Sequence, residues 1–273
     1  MKKKLVIFEL FILFLLCLVL IAWKNYPITI SADMVPQSEE SQNENLQNAD
    51  PEPVIEVVYP EAENYIVCID AGHQQRADMG KEPIGPGATK TKAKVDGGTL
   101  GKNTGLTEYQ LNLDIALKLQ SELEDRGYAV VMVRTTNDVN ISNSERAQIA
   151  NEAKVDAFVK IHADGCDDTS VHGASAVCQT ADNPYNGNLY EDSRRLSECV
   201  LDGEESATGC KKRHIIEDDS MTGINWSQVP TTIIEVGYLT NKAEEAKLST
   251  DDYQQLVAQG IADGIDEYFR TDE

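Results

Sequence analysis

The sequence predicts an α/β domain: a largely parallel, twisted sheet with helices on both faces, three layers in αβα order. Two observations lead there. Short apolar runs alternate along the chain with longer segments of helical period, and several of those runs are too continuously apolar to have a solvated face. The first strand is "YIVCID" at 65–70. The helix after it, "TEYQLNLDIALKLQSELEDRG", opens on a Thr107-x-x-Gln110 capping pattern and stops at Gly127. "AVVMVR" (129–134) is the second strand, and "SNSERAQIANEAK" is a helix opening on Ser142-x-x-Glu145. Strands "DAFVKIH" (156–162) and "ASAVCQ" (174–179) follow, then a helix over about 191–207, the strand "TTIIEV" (231–236) and a last helix over about 252–269. No internal repeat is present.

The two ends set the domain organisation. Of the 273 residues, about 210 remain once the N-terminal segments are set aside, enough for one domain with a sizeable core. Lys2, Lys3 and Lys4 precede the 19-residue apolar span Leu5–Trp23, whose only charge is Glu9. That length crosses a bilayer, with the lysines on the inner side. A secretory signal peptide shares this pattern, but the small-residue site "ISA" at 30–32 lies beyond the apolar run, which favours an uncleaved anchor. Cys17 has no small residues before it, so it is expected as a membrane-embedded thiol rather than a lipid attachment site.

Residues 24–63 are rich in Glu, Asp, Asn, Gln, Ser and Pro and poor in large apolar groups, the composition of a flexible acidic tether. The expected division is therefore 1–23 membrane anchor or signal, 24–63 tether, and 64–273 an exported folded domain on the extracytoplasmic face of the membrane. A net charge of −22 excludes nucleic acid as a partner, since phosphate neutralisation needs a basic surface.

Five cysteines lie outside the apolar span: Cys68, Cys166, Cys178, Cys199 and Cys210. They form no paired C-x-x-C units, which argues against a thiolate zinc site. Cys68 sits in a strand pattern and is expected as a buried thiol. Cys199 with Cys210, or Cys166 with Cys178, are the pairings open to an oxidising compartment.

The chemistry-bearing residues gather at strand ends, where ligands bind in open α/β sheets. His73 follows the first strand by three residues, His162 ends the third and Glu235 lies near the end of the last. Each alone is ordinary, since a histidine at a strand end commonly serves structure. Glu108 adds an independent argument. At about 100° per residue it falls within roughly 20° of Ile115 and Leu119, so its carboxylate projects from the apolar side of its helix. An acidic residue is at home in a first helical turn, but that explains the turn and not the face. A carboxylate on a core-facing stripe is costly unless it is paired or bound to a cation. Two histidines and one carboxylate make a known catalytic zinc set with a position left for water. Glu235 shares its strand face with Ile233, so a structural role would need a basic partner, whereas a proton acceptor beside a metal would not.

At these residues the sequence resembles the zinc-dependent N-acetylmuramoyl-L-alanine amidases of the type 3 class, over about Tyr65 to Phe269. The matching pieces are "IDAGH", "GLTEYQLNLDIALKLQSELEDRGYAVVMVRTTND", "SERAQIANE", "IHAD" and "TTIIEVGYLTN". The resemblance implies that His73, Glu108 and His162 bind Zn2+ and that Glu235 is the catalytic glutamate. It implies hydrolysis of the amide joining N-acetylmuramic acid to the L-alanine of the peptidoglycan stem peptide. The chain departs from the family at Gln74, Gln75, Lys160 and Asp164. None of these is a ligand position, so the departures bear on substrate fit.

Two other functions stand beside this one: a catalytically silent wall-binding or regulatory module on the same fold, and another zinc peptidase of the cell wall. Retention of all four residues argues against the first, and the products formed separate the second. The sequence identifies no protein activator. His172 and His214 match no ligand position and are expected as ordinary histidines. The glycine-rich basic segment 81–105 is expected as a loop bordering the site, either solvated or meeting peptide carboxylates through Lys90, Lys92 and Lys94. Trp226 is either a stacking surface at the rim or part of the core.

Overall fold

The computed structural model of the protein describes residues 65–270. In chain order these form β1 (Ile66–Ala71), the hairpin β2 (Asp78–Pro83) and β3 (Thr91–Val95), α1 (Glu108–Asp125), β4 (Ala129–Met132), α2 (Asn143–Ala153) and β5 (Ala157–Asp164). There follow β6 (Ala174–Cys178), a short 3-10 turn (Gly187–Leu189), α3 (Tyr190–Thr208), β7 (Lys212–Glu217), α4 (Thr222–Asn225), β8 (Thr231–Tyr238), α5 (Lys242–Leu248) and α6 (Asp251–Phe269). The expected fold class is present: six strands in the order β4-β1-β5-β8-β6-β7, with helices on both faces. Neighbouring strands are parallel except β6, which runs against β8.

The two faces of this sheet are used differently. On one, Val67, Ile69, Val159, Ile161, Ile234 and Val236 join the apolar sides of α1, α3 and α6 in the main core. The helices α3 and α6 approach backbone to backbone: a Cβ added at Gly203 would lie 2.1 Å from the Gly260 carbonyl, and one at Gly264 2.4 Å from the Cys199 carbonyl. Beside this contact lies Glu204, fully buried with neither carboxyl oxygen partnered. The opposite face carries two smaller clusters, Cys68 and Phe158 under α2, and Val177 and Ile233 under Ile224 of α4. Along that face, strand register sets Asp70 beside Lys160, Lys160 beside Ile233, His162 beside Glu235 and Glu235 beside Ser175.

Several expectations change. Within 81–105 the chain is not all loop but includes most of the β2–β3 hairpin, whose residues lack the apolar alternation that marks a strand. The half-exposed β7 and the helix α5 carry equally faint signals. Ser142 forms its capping box with Glu145, but Thr107 makes no side-chain cap. Neither cysteine pairing forms; all five thiols in the described residues are free. Cys166 follows the end of β5 and Cys178 ends the reversed β6, which puts them at opposite ends of the sheet. Cys199 and Cys210 are separated by the second half of α3, roughly 13 Å of helix at about 1.5 Å per residue, where a disulfide needs Cα atoms within about 7 Å.

Trp226 packs on the α2 side and its indole N–H donates to the Pro83 carbonyl at 2.9 Å, so it holds the hairpin. Lys92 donates to Ser220 at 3.1 Å and Lys94 lies 3.7 Å from Asp78, leaving Lys90 exposed. His172 and His214 are exposed, as expected. The apolar span 5–23 and the tether 24–63 lie outside the described residues, among which no helix is long and apolar enough to cross a membrane.

Candidate functional site

The turn after β1 is built for close approach. Gly72 has no room for a side chain, because a Cβ there would lie 2.3 Å from the His162 ring. His73 then adopts φ 60°, a left-handed conformation uncommon for a residue with a side chain. Two buried arginines hold it there by its carbonyls. Arg134 donates to Ala71 O (2.7 Å) and Gly72 O (3.0 Å), and Arg146 to Ala71 O and His73 O, both at 3.0 Å. Arg134 also reaches Tyr109 O at 2.8 Å, next to Glu108. Arg146 is itself fixed by Asp70 (2.6 Å), Gln74 Oε1 (3.1 Å) and Ile141 O (3.1 Å). Asp70 takes Lys160 on its other oxygen.

Glu108 is placed by a loop rather than by a cap. Its N–H donates to Thr99 O (2.9 Å) and its Oε2 accepts from Thr99 N (2.7 Å), which occupies the helix start that Thr107 was expected to cap. The loop itself is clamped by Glu245 of α5, fully buried, which accepts from Asn103 N (2.8 Å), Thr104 N (2.6 Å), Thr104 Oγ1 (2.8 Å) and the Asn103 amide.

The three expected ligands converge. Glu108 Oε1 lies 3.0 Å from His73 Nε2 and 3.1 Å from His162 Nδ1, and those two nitrogens are 3.1 Å apart. Ligand atoms about 2.0–2.2 Å from a tetrahedral ion are roughly 3.3–3.6 Å from one another, so a small outward shift of the three atoms separates this set from one holding a metal. The donor chemistry fits as well. Two ring nitrogens and one carboxylate oxygen aimed at a common point compete for the same protons but can all bind one cation. His73 Nδ1 is engaged by Asp96 Oδ1 at 2.8 Å, which turns Nε2 toward that point in the manner of an outer partner of a metal-bound histidine.

Electrostatics agree with the geometry. Burial works against the charge on Glu108, but the two histidines outweigh it and hold the carboxyl well below the usual range. Burial likewise disfavours a charged His73, yet Asp96 and Glu108 raise it to about 10. His162 is lowered by burial and stays neutral at pH 7, its lone pair available.

Glu235 lies beside His162 in register and lines the same cavity, of about 380 Å³, with His73, Asp96, Glu108 and Asp164. Its carboxyl is raised well above the ordinary value, first by burial and then by Glu108 and Asp164, with His73 the one neighbour pulling the other way. Lys160 lines a neighbouring cavity with it but pairs with Asp70, so among the described residues no basic side chain forms an ion pair with Glu235. Ser175, across the ladder from Glu235, also has a buried hydroxyl without a protein partner.

Sequence reasoning singled out the four residues that meet here but passed over Asp96, Arg134, Arg146 and Glu245, and treated Lys160 only as a departure. One signal was available. Asp70 stands in a strand too apolar to be solvated, and a buried carboxylate requires buried cations.

Known proteins with similar sequence or structure include N-acetylmuramoyl-L-alanine amidases. Over 175 residues the chain is 31% identical to N-acetylmuramoyl-L-alanine amidase LytC of Bacillus subtilis, a match covering 64% of this chain and 33% of LytC, so it spans a third of that relative. It is 26% identical over 216 residues to N-acetylmuramoyl-L-alanine amidase Rv3717 of Mycobacterium tuberculosis, covering 76% of this chain and 87% of the relative. Among solved structures, Ami1 of Mycobacterium smegmatis shares the fold at a TM-score of 0.70 and 24% identity, covering 77% of this chain and 98% of that one. The N-acetylmuramoyl-L-alanine amidase of Clostridium difficile 630 has a TM-score of 0.61 at 29% identity, covering 75% and 96%. A family model described as N-acetylmuramoyl-L-alanine amidase matches residues 67–267, nearly the whole described region, and the chain belongs to that family, Amidase_3.

Proposed function

We propose that the domain hydrolyses the amide between N-acetylmuramic acid and L-alanine in peptidoglycan, with Zn2+ held by His73, Glu108 and His162 and with Glu235 as the proton-transfer residue. The observation that carries this is the meeting of His73 Nε2, Glu108 Oε1 and His162 Nδ1 in one cavity with an unpaired Glu235. A zinc ion there would polarise the scissile carbonyl and acidify water at neutral pH. Glu235 accepts the proton of the attacking water and delivers it to the nitrogen of the departing L-alanine. Its raised affinity for a proton suits a carboxylate that must be protonated midway through turnover. Asp96 orients His73, and Arg134 and Arg146 fix the turn that presents it.

The division into anchor (1–23), acidic tether (24–63) and catalytic domain (64–273) belongs to the same proposal. It puts the domain outside the cytoplasmic membrane, where the wall is, and keeps it attached. Fractionation of expressing cells tests this part: intact chain in the membrane fraction supports it, and a mature protein starting near Asp33 in the medium overturns it.

The activity is tested by digesting purified peptidoglycan, with and without chelator, and weighing the products. Released peptides with a free L-alanine amine and intact sugar chains left behind are expected, both lost with chelator, whereas cleavage between amino acids would mark a different zinc peptidase. Glu235→Gln separates enzyme from silent module. It should keep its metal and melting temperature while turnover falls by about 10² to 10⁴, and wild-type turnover in that variant would remove Glu235 from the mechanism.

A further inference from the structure

A second cavity, of about 220 Å³, opens beside the first and shares His73, Asp96, His162 and Glu235 with it. Its floor is the sheet face where Lys160 of β5 pairs with Ile233 of β8, and its wall includes Met221, Thr222 and Gly223. Lys160 is an unusual floor residue. Its side chain is only 3% exposed and its ammonium lies 4.8 Å from the Phe158 ring centroid, yet among the described residues only one of its three donors is hydrogen-bonded, to Asp70. The other oxygen of Asp70 is held by Arg146 at 2.6 Å. One carboxylate thus faces two buried cations, and the trio keeps a positive charge in excess.

The wall adds a second unfilled group. Thr222 is 4% exposed and its hydroxyl has no partner. Next to it, a Cβ at Gly223 would come within 2.9 Å of Lys160 Cε and 3.1 Å of Nζ, so the ammonium lies against bare backbone. A buried cation in excess and an orphan hydroxyl are both costly unless an oxygen acceptor meets them. The acids in the lining are committed elsewhere, Asp96 to His73 and Glu235 to proton transfer.

We propose that this cavity is a subsite for a carboxylate of the stem peptide, bound by Lys160 and Thr222. The inference rests on the amidase function above. Lys160 stands two residues before His162 on β5, about 6.6 Å at about 3.3 Å per strand residue, within the reach of one to two residues of an extended peptide, so the carboxylate is assigned to the residue next after L-alanine. A carboxamide at that position would leave the ammonium without its counter-charge.

The experiment uses the purified, zinc-loaded full chain and two muramoyl peptides, identical except for a carboxylate or a carboxamide on the residue after L-alanine. Wild type should favour the carboxylate form by about tenfold or more in kcat/KM, carried mainly by KM, the size expected of a charge-assisted hydrogen bond. Lys160→Met should bring the ratio of the two kcat/KM values close to one, with zinc content and melting temperature measured on the same preparation. Thr222→Val leaves the ion pair with Asp70 in place and should lower the ratio in part, which keeps the test available if Lys160→Met does not fold. Equal use of both substrates by wild type, or an unchanged ratio in the folded variants, would overturn the subsite. Failure of wild type to cleave either substrate would instead overturn the amidase function.

Discussion

Arg146→Lys tests whether the buried guanidinium positions the proposed metal site. Arg146 is fully buried and serves five acceptors: Asp70, Ala71 O, His73 O, Gln74 and Ile141 O. A lysine keeps the charge, and with it the pair with Asp70, but offers three donors from a single point. At least two acceptors therefore lose their donor. Ala71 O keeps Arg134 and Gln74 Oε1 keeps the Ile141 N–H, so the loss falls on His73 O and Ile141 O; at about 1–3 kcal/mol for each left unpaired, the variant should lose up to roughly 6 kcal/mol of stability. Against a total of about 5–15 kcal/mol for a domain, it should remain folded in the cold. The carbonyl of His73 is among those at stake, and with it the left-handed turn of that residue. Zinc affinity should accordingly fall by about 10- to 100-fold, the usual effect of losing an outer-shell contact. Urea unfolding in chelator gives the first quantity and competition with a chromogenic chelator the second. Lower stability with wild-type zinc affinity would refute the positioning role and leave Arg146 as the partner of Asp70 alone.

Two further outcomes follow from single side chains. Glu204 ionises near pH 4.3 when unfolded, but in the fold burial, and secondarily Glu244, keep it protonated to much higher pH. Stability is untouched by this group below its unfolded value and declines above it, at about 1.4 kcal/mol per pH unit, until the folded carboxyl ionises. Glu204→Leu should therefore melt higher than wild type at pH 8, with the gap closing toward pH 4; matching melting curves at pH 8 would show that the carboxyl is not a burden. Asp96→Asn should weaken zinc binding about tenfold, at the low end for such contacts because Asp96 is 69% exposed. Unchanged affinity in the chelator assay would mean that His73 is oriented by its backbone alone.

Much of this was legible because it rests on local pattern. Val67, Ile69, Val159, Ile161 and Ile234 belong to strands so apolar that only a covered sheet can hold them, and α1 shows its buried stripe from Leu111 to Leu123. Glu108 betrayed itself by sitting on that stripe. What escaped depends on partners distant in the chain. Thr107 has the residue type of a cap, but Thr99 O takes the N–H of Glu108. The β2–β3 hairpin is held by Trp226 and Ser220 rather than by its own apolar face. The reversal of β6 leaves no mark in "ASAVC", yet it removes the Cys166–Cys178 pairing by sending the two thiols to opposite ends of the sheet. Arg134 and Arg146 sat in quoted motifs without a role, because a carbonyl acceptor is invisible in side-chain chemistry.

Alternate residues of the same central strands answer to different demands. Ile161 and Ile234 look toward α1, α3 and α6 and set how firmly the chain folds, while Lys160, His162 and Glu235, their immediate neighbours, look toward the cavities. Selection can therefore act on one set with little penalty in the other. A change at Ile233, on the cavity side but outside the proposed ligand set, would reshape what the second cavity accepts and leave the aliphatic layer beneath it intact. On the proposed function, such a sheet lets substrate preference drift one residue at a time with the scaffold held constant.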